Sequence, residues 1–204
     1  MKEIFNNFKS LLSQRLLKNI FTTEDSVRYT FFHSLITEGN YKPEDIILEQ
    51  PCKNRKFKND RLDLYIVPKN LNRALAFEFK YNRNKSGTYT SDAGSLFWDF
   101  FKLNNERLSN RASAYLIYLF DEQMKKYFSS PKNNLQDLLT MSEGERLLIN
   151  RKYVEKFPKS FVSWVKGSDY DYITNCTIRI VFSCSLPKRH HLRIYKVGPE
   201  KACS

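Results

Sequence analysis

Two stretches set the fold: Arg61-Leu62-Asp63-Leu64-Tyr65-Ile66-Val67 and, after a short polar linker, Ala74-Leu75-Ala76-Phe77-Glu78-Phe79-Lys80-Tyr81. Both read as β-strands. The first is rich in β-branched, aromatic and aliphatic residues, and the second is apolar at almost every position, as a strand covered on both faces would be. Charges have no place there unless they are satisfied or used. Yet one strand carries Asp63 and the other Glu78 and Lys80. Side chains alternate along a strand, so Ala74, Ala76, Glu78 and Lys80 share one face and Leu75, Phe77, Phe79 and Tyr81 the other. The linker Pro68-Lys69-Asn70-Leu71-Asn72-Arg73 carries turn residues, and a symmetric hairpin places Asp63 opposite Glu78. Opposed carboxylates repel. A divalent cation between them, of the kind Mg²⁺ exemplifies, would turn that repulsion into a site.

Asp63 followed by Glu78-Phe79-Lys80, on a hairpin preceded by a helix bearing Glu24, resembles the PD-(D/E)XK nuclease superfamily. The likeness covers roughly residues 22 to 120, and Leu62 stands where the family's name has Pro. The resemblance implies an α/β fold: a restriction-endonuclease-like mixed β-sheet core flanked by helices, over about 22–128. A C-terminal α+β extension, about 129–204, would complete a single 1–204 domain. It implies an endonuclease that hydrolyses DNA phosphodiester bonds in restriction or defence. Asp63, Glu78 and the main-chain carbonyl of Phe79 would hold Mg²⁺, for which Mn²⁺ can substitute. Lys80 would orient or deprotonate a water, and Glu24 would bind a second metal or hold a water. Double-strand cutting would require a homodimer. The competing reading is a nucleic-acid-binding protein of the same fold without catalysis.

The balance of charge points the same way. Lys+Arg 34 against Asp+Glu 22 gives +12 and a pI near 9.5. Such a field favours polyanions, with nucleic acid first. Hydrophobic content of 41% with 15% aromatics excludes a disordered chain. No apolar run approaches the ~20 residues of a membrane helix. Cys52, Cys176, Cys184 and Cys203 are scattered without a paired motif, so a reducing cytoplasm and no membrane partner are expected. Cys176 and Cys184 share a strand face but stand too far apart for one zinc ion.

Residues 3 to 20 show helical spacing of apolar side chains, for core packing or dimer contacts. Thr22-Thr23-Glu24-Asp25 opens the next helix, which ends at Gly39-Asn40. Glu24 either complements that helix's dipole or joins the acid cluster. Arg28 is its i, i+4 partner or a phosphate contact. A first strand follows at Ile46 to Glu49. The segment Cys52 to Arg61 holds five basic residues in ten: Lys53, Arg55, Lys56, Lys58 and Arg61. It is either a solvated loop or a phosphate clamp. Asn82 to Asp92 reads as a mobile loop whose Arg83 and Lys85 can touch phosphates.

The helix beyond it carries Asp99 and Lys102, read as surface residues. Ser113 to Phe120 is a buried strand, and Asp121 caps the next helix. Leu135 to Val154 suggests one or two helices, and Phe161 to Val165 an apolar patch. Two strands, Cys176 to Ser183 and His191 to Val197, form a terminal hairpin.

Overall fold

The computed structural model describes residues 1–52, 60–67, 73–83, 88–110, 112–157 and 176–198. Helices α1 (Lys2–Leu17) and α2 (Glu24–Thr37) come first. Strands β1 (Ile46–Pro51), β2 (Arg61–Ile66) and β3 (Leu75–Asn82) follow. Then come α3 (Tyr89–Asn110), β4 (Ser113–Asp121), α4 (Glu122–Ser129) and α5 (Asp137–Thr140). The described chain ends with β5 (Arg146–Ile149), α6 (Arg151–Val154), β6 (Cys176–Leu186) and β7 (His190–Val197).

The strands form one seven-stranded mixed sheet in the order β1-β2-β3-β4-β7-β6-β5. β1, β2 and β3 make an antiparallel meander. β3 and β4 run parallel, and a parallel pair needs a crossover long enough to return the chain to the same end. α3 is that crossover. β4 is buried at Ala114 through Phe120. It lies between β3 and the antiparallel β7 at the centre of the sheet.

α1 and α2 cover one face. Phe31 of α2 meets Phe5 and Phe8 of α1, and Phe77 and Phe79 of β3, at ring centroids of 5.0–6.3 Å. α3 covers the other face, against Ala76, Ala114, Leu116, Tyr118 and Tyr195. The faces expected for β3 are the faces observed, with Ala76 on the α3 side and Leu75, Phe77 and Phe79 on the other. Local chemistry sets the helix starts. The Thr23 side chain accepts the Ser26 N–H, and Asp121 accepts from Gln123 and Met124.

Several expectations change. Tyr89 to Asp92, read as part of a loop, form the first turn of α3. Arg146–Ile149, read as helical, is an edge strand on β6. Its alternation explains this, since Leu147 and Ile149 face the core while Arg146 and Leu148 point outward. Gly144, at φ +91, turns the chain into that pairing, and its N–H donates to the Ile180 carbonyl.

Cys176 and Cys184 lie on opposite faces. β6 carries a bulge between Ile180 and Phe182, and one extra residue inverts the alternation beyond it. Cys176, Ile178 and Ile180 pack on the α3 side, and Phe182, Cys184 and Leu186 on the α1–α2 side. The patch at 161–165 and Cys203 lie outside the described residues. No helix among the described residues is long and apolar enough to cross a membrane.

Candidate functional site

The β2–β3 ladder stops at Leu64–Phe77, although both strands run on. Continuing its register puts Asp63 opposite Glu78, as the hairpin's symmetry predicts. Beyond the last rung β3 takes side-chain acceptors in place of β2. The Asp63 Oδ2 accepts the Phe79 N–H at 2.7 Å, and the Glu24 Oε2 accepts the Tyr81 N–H at 3.0 Å. Buried or half-buried N–H groups need an acceptor. Here two carboxylates, one from β2 and one from the first turn of α2, serve successive same-side positions of one strand. β1 is distorted at the same level: Leu48 pairs with Leu64 and Gln50 with Leu62, while Glu49 between them takes φ +53. A non-glycine residue there stores strain, a common feature of functional sites.

The acids and bases form an alternating chain. The Glu24 carboxylate lies 3.9 Å from the Lys80 ammonium, which lies 3.2 Å from Asp99. The Lys102 ammonium lies 3.4 Å from Asp99 and 2.9 Å from Glu78 Oε1. Asp63 Oδ1 lies 3.5 Å from Arg28, which pairs with Asp25 and Glu49 as well.

Burial raises the Glu24, Asp63 and Glu78 carboxyls above their ordinary values. Glu78, 2% exposed, is raised well above, with Lys102 opposing and Asp99 and Asp63 adding to burial. Asp63 is raised by burial against the Phe79 N–H, and Glu24 by burial against Lys80 and the Tyr81 N–H. Burial would lower Lys80, but Asp99 and Glu24 outweigh it and hold the amine above its ordinary value. Lys102 is raised likewise, with Glu78 and Asp99 outweighing burial.

Asp99 and Lys102, expected at the surface, are 5% and 7% exposed. Both point from α3 at the sheet, Lys102 to Glu78 and the Arg61 carbonyl and Asp99 to Lys80. Leu135, Leu138, Ile149, Tyr153 and Phe157 join the core on the α3 side of the sheet, and the Phe157 ring meets Phe97 at 5.0 Å. α3 therefore has little solvent face along this stretch. The signal was present in the sequence: Asp99 and Lys102 interleave with Leu96, Phe100 and Leu103 at helical spacing.

The residues expected at nucleic acid divide into three. Arg28 turns from Glu24 to Asp25, Glu49 and Asp63, which replaces the expected i, i+4 pair. Arg61 is exposed and donates to the Glu49 carbonyl at 3.3 Å. Arg83 lies 4.5 Å over the Phe21 ring. Lys53, Arg55, Lys56, Lys58 and Lys85 lie outside the described residues.

Among the described residues, no three His, Cys, Asp or Glu side chains stand grouped around one metal position, because lysines separate the acids. The donor chemistry still fits a hard cation. Asp63 and Glu78 offer carboxylate oxygens from facing positions of β2 and β3, and oxygen donors are what Mg²⁺ takes. No protein-family model matches this chain, nor does any curated protein or solved structure.

Proposed function

We propose that the chain is a Mg²⁺-dependent endonuclease that hydrolyses DNA phosphodiester bonds, built on a restriction-endonuclease-like core and acting in restriction or defence. One observation carries this reading. The Glu24 carboxylate joins the Asp63, Glu78 and Lys80 cluster through the Tyr81 N–H and the Lys80 ammonium. A dipole-complementing acid at a helix start has no need of a partner on a distant strand. The element order supports it too, with a helix, a meander carrying the acids, a crossover helix and then a strand parallel to β3.

Asp63 and Glu78 would hold the metal, with the Phe79 carbonyl beside them. When bound, it would polarise the scissile phosphate and lower the pKa of a water. Lys80, kept protonated by Asp99 and Glu24, acts as a cation. It orients the water and offsets charge on the phosphate rather than taking a proton. Glu24 holds that lysine in place. Phosphoryl transfer asks mainly for such positioning and charge stabilisation. The excess of basic residues draws in DNA. Cutting both strands would take a homodimer, and the thiols of Cys52, Cys176 and Cys184, all free, suit a reducing cytoplasm.

A second reading, DNA binding without catalysis, is favoured by one contact. Lys102 already compensates Glu78 at 2.9 Å, where a cation would sit. Plasmid and linear DNA incubated with Mg²⁺, Mn²⁺ or EDTA separate the two. Metal-dependent cleavage that disappears in both Asp63→Ala and Lys80→Ala supports the nuclease. Binding without cleavage under any metal supports the second reading.

A further inference from the structure

The cleft beside Glu24 has features that phosphodiester hydrolysis leaves unused. It encloses about 320 Å³ and runs along Phe21, Thr22, Glu24, Tyr81, Asn82 and Arg83, with Asp92 at its border. That volume falls in the range of small-ligand pockets, about 300–1,000 Å³.

Phe21 is 66% exposed, in the short link between α1 and α2. A lone exposed phenylalanine is ordinary. This one is held by the Arg83 guanidinium, 4.5 Å over its ring, so one edge of the cleft is a prepared flat surface of aromatic and guanidinium planes. Asn82 lines the cleft and is 7% exposed, and its own buried Oδ1 has no hydrogen-bond partner among the described residues. An amide oxygen withdrawn from water without a partner costs free energy. The Asp92 carboxylate offers a second acceptor at the same border.

A planar, apolar-faced ligand with hydrogen-bond donors on its edge suits the exposed Phe21 ring and the Glu24 and Asp92 side chains that line the cleft. Adenine, guanine and cytosine are such ligands: every base has a face that stacks on aromatic rings, and these three carry amino groups on their edges. A base inside a continuous duplex cannot reach such a cleft unless it leaves the stack.

We propose that this cleft takes one unstacked nucleobase next to the scissile phosphate. The substrate is then DNA with a single-stranded or unpaired stretch at the cutting point, in preference to continuous duplex. This rests on the nuclease reading for the position of the phosphate, but the base site itself can be tested without cleavage.

The test is fluorescence anisotropy in EDTA, with a short labelled single strand of mixed sequence and its matched duplex. Phe21→Ala is suited to it because the side chain is exposed. The wild-type protein should prefer the single strand. Phe21→Ala should weaken single-strand binding about 5- to 100-fold. It should leave duplex binding unchanged, and Phe21→Trp should restore the preference. Equal binding of both DNAs by the wild type, or Phe21→Ala binding the single strand as the wild type does, overturns the proposal.

The same preparations assayed for cleavage in Mg²⁺ keep the two ideas apart. Single-strand preference that depends on Phe21, without cleavage, retains the base site and removes the nuclease. Cleavage that depends on Asp63, with Phe21→Ala inert in binding, removes the base site alone.

Discussion

The Lys102 ammonium lies 2.9 Å from the Glu78 Oε1, and both residues are buried between α3 and the sheet. Charges leave water at a cost of several kcal/mol each, and each of these two groups favours the ionised form of the other.

Removing one partner should therefore cost more than removing both. Lys102→Met is expected to destabilise the protein by about 3–5 kcal/mol, the range for an uncompensated buried charge. Adding Glu78→Gln should recover much of that loss. Urea unfolding of the two single variants and the double variant gives the coupling, and strict additivity would rule it out.

The pH dependence follows from the raised carboxyl of Glu78. Its folded pKa lies above the unfolded value, so the folded state holds the proton more tightly. The stability this contributes is present at acid pH and is lost as pH rises through the folded pKa. Melting temperatures in EDTA should fall from mildly acid to neutral pH. In Glu78→Gln this fall should be smaller. An unchanged slope would show that other groups dominate.

Glu24 connects two functions in one side chain, accepting the Tyr81 N–H and facing Lys80. Glu24→Ala should lower cleavage about 10- to 100-fold, as loss of an orienting partner does. Glu24→Gln keeps an acceptor for the N–H and should preserve stability while still lowering activity. Equal activity in all three proteins would reduce Glu24 to a helix-start acid.

The aromatic cluster under α2 should be the costliest place to lose volume. Phe31 is fully buried and touches Phe5, Phe8, Phe77 and Phe79. Phe31→Ala should cost about 3–5 kcal/mol, measured by chemical unfolding. It should also lower cleavage at temperatures where the fold survives, since α2 carries Glu24.

Much of this architecture was legible because the meander strands announce themselves. Alternation placed Ala76 and Glu78 on one face and Phe77 and Phe79 on the other, and hairpin symmetry put Asp63 across from Glu78. Asp99 and Lys102 were hidden for a tertiary reason. Both point at the sheet, where Lys80, Glu78 and the Arg61 carbonyl receive them, and the spacing within one helix does not name partners on other strands. The Glu24 pairing read for Arg28 gives way to others because spacing along a helix ranks only local partners. Glu49 and Asp63 come from other strands and compete on geometry that a single helix cannot reveal. The bulge in β6 was invisible too, since one inserted residue reverses a face without changing composition.

The seating of α1 has a consequence for how the chain is made. Phe5 of α1 rests 5.9 Å from Phe182 of β6, which is synthesised long after it. β4 likewise gains its second neighbour only when β7 arrives. The acidic hairpin and α2 are synthesised well before the strands that close the sheet beside them. Domains fold during synthesis as their contacts become available. A nascent chain arrested short of β6 would therefore carry the residues of the proposed cutting site without the scaffold that fixes them, so reactivity would be acquired late in translation.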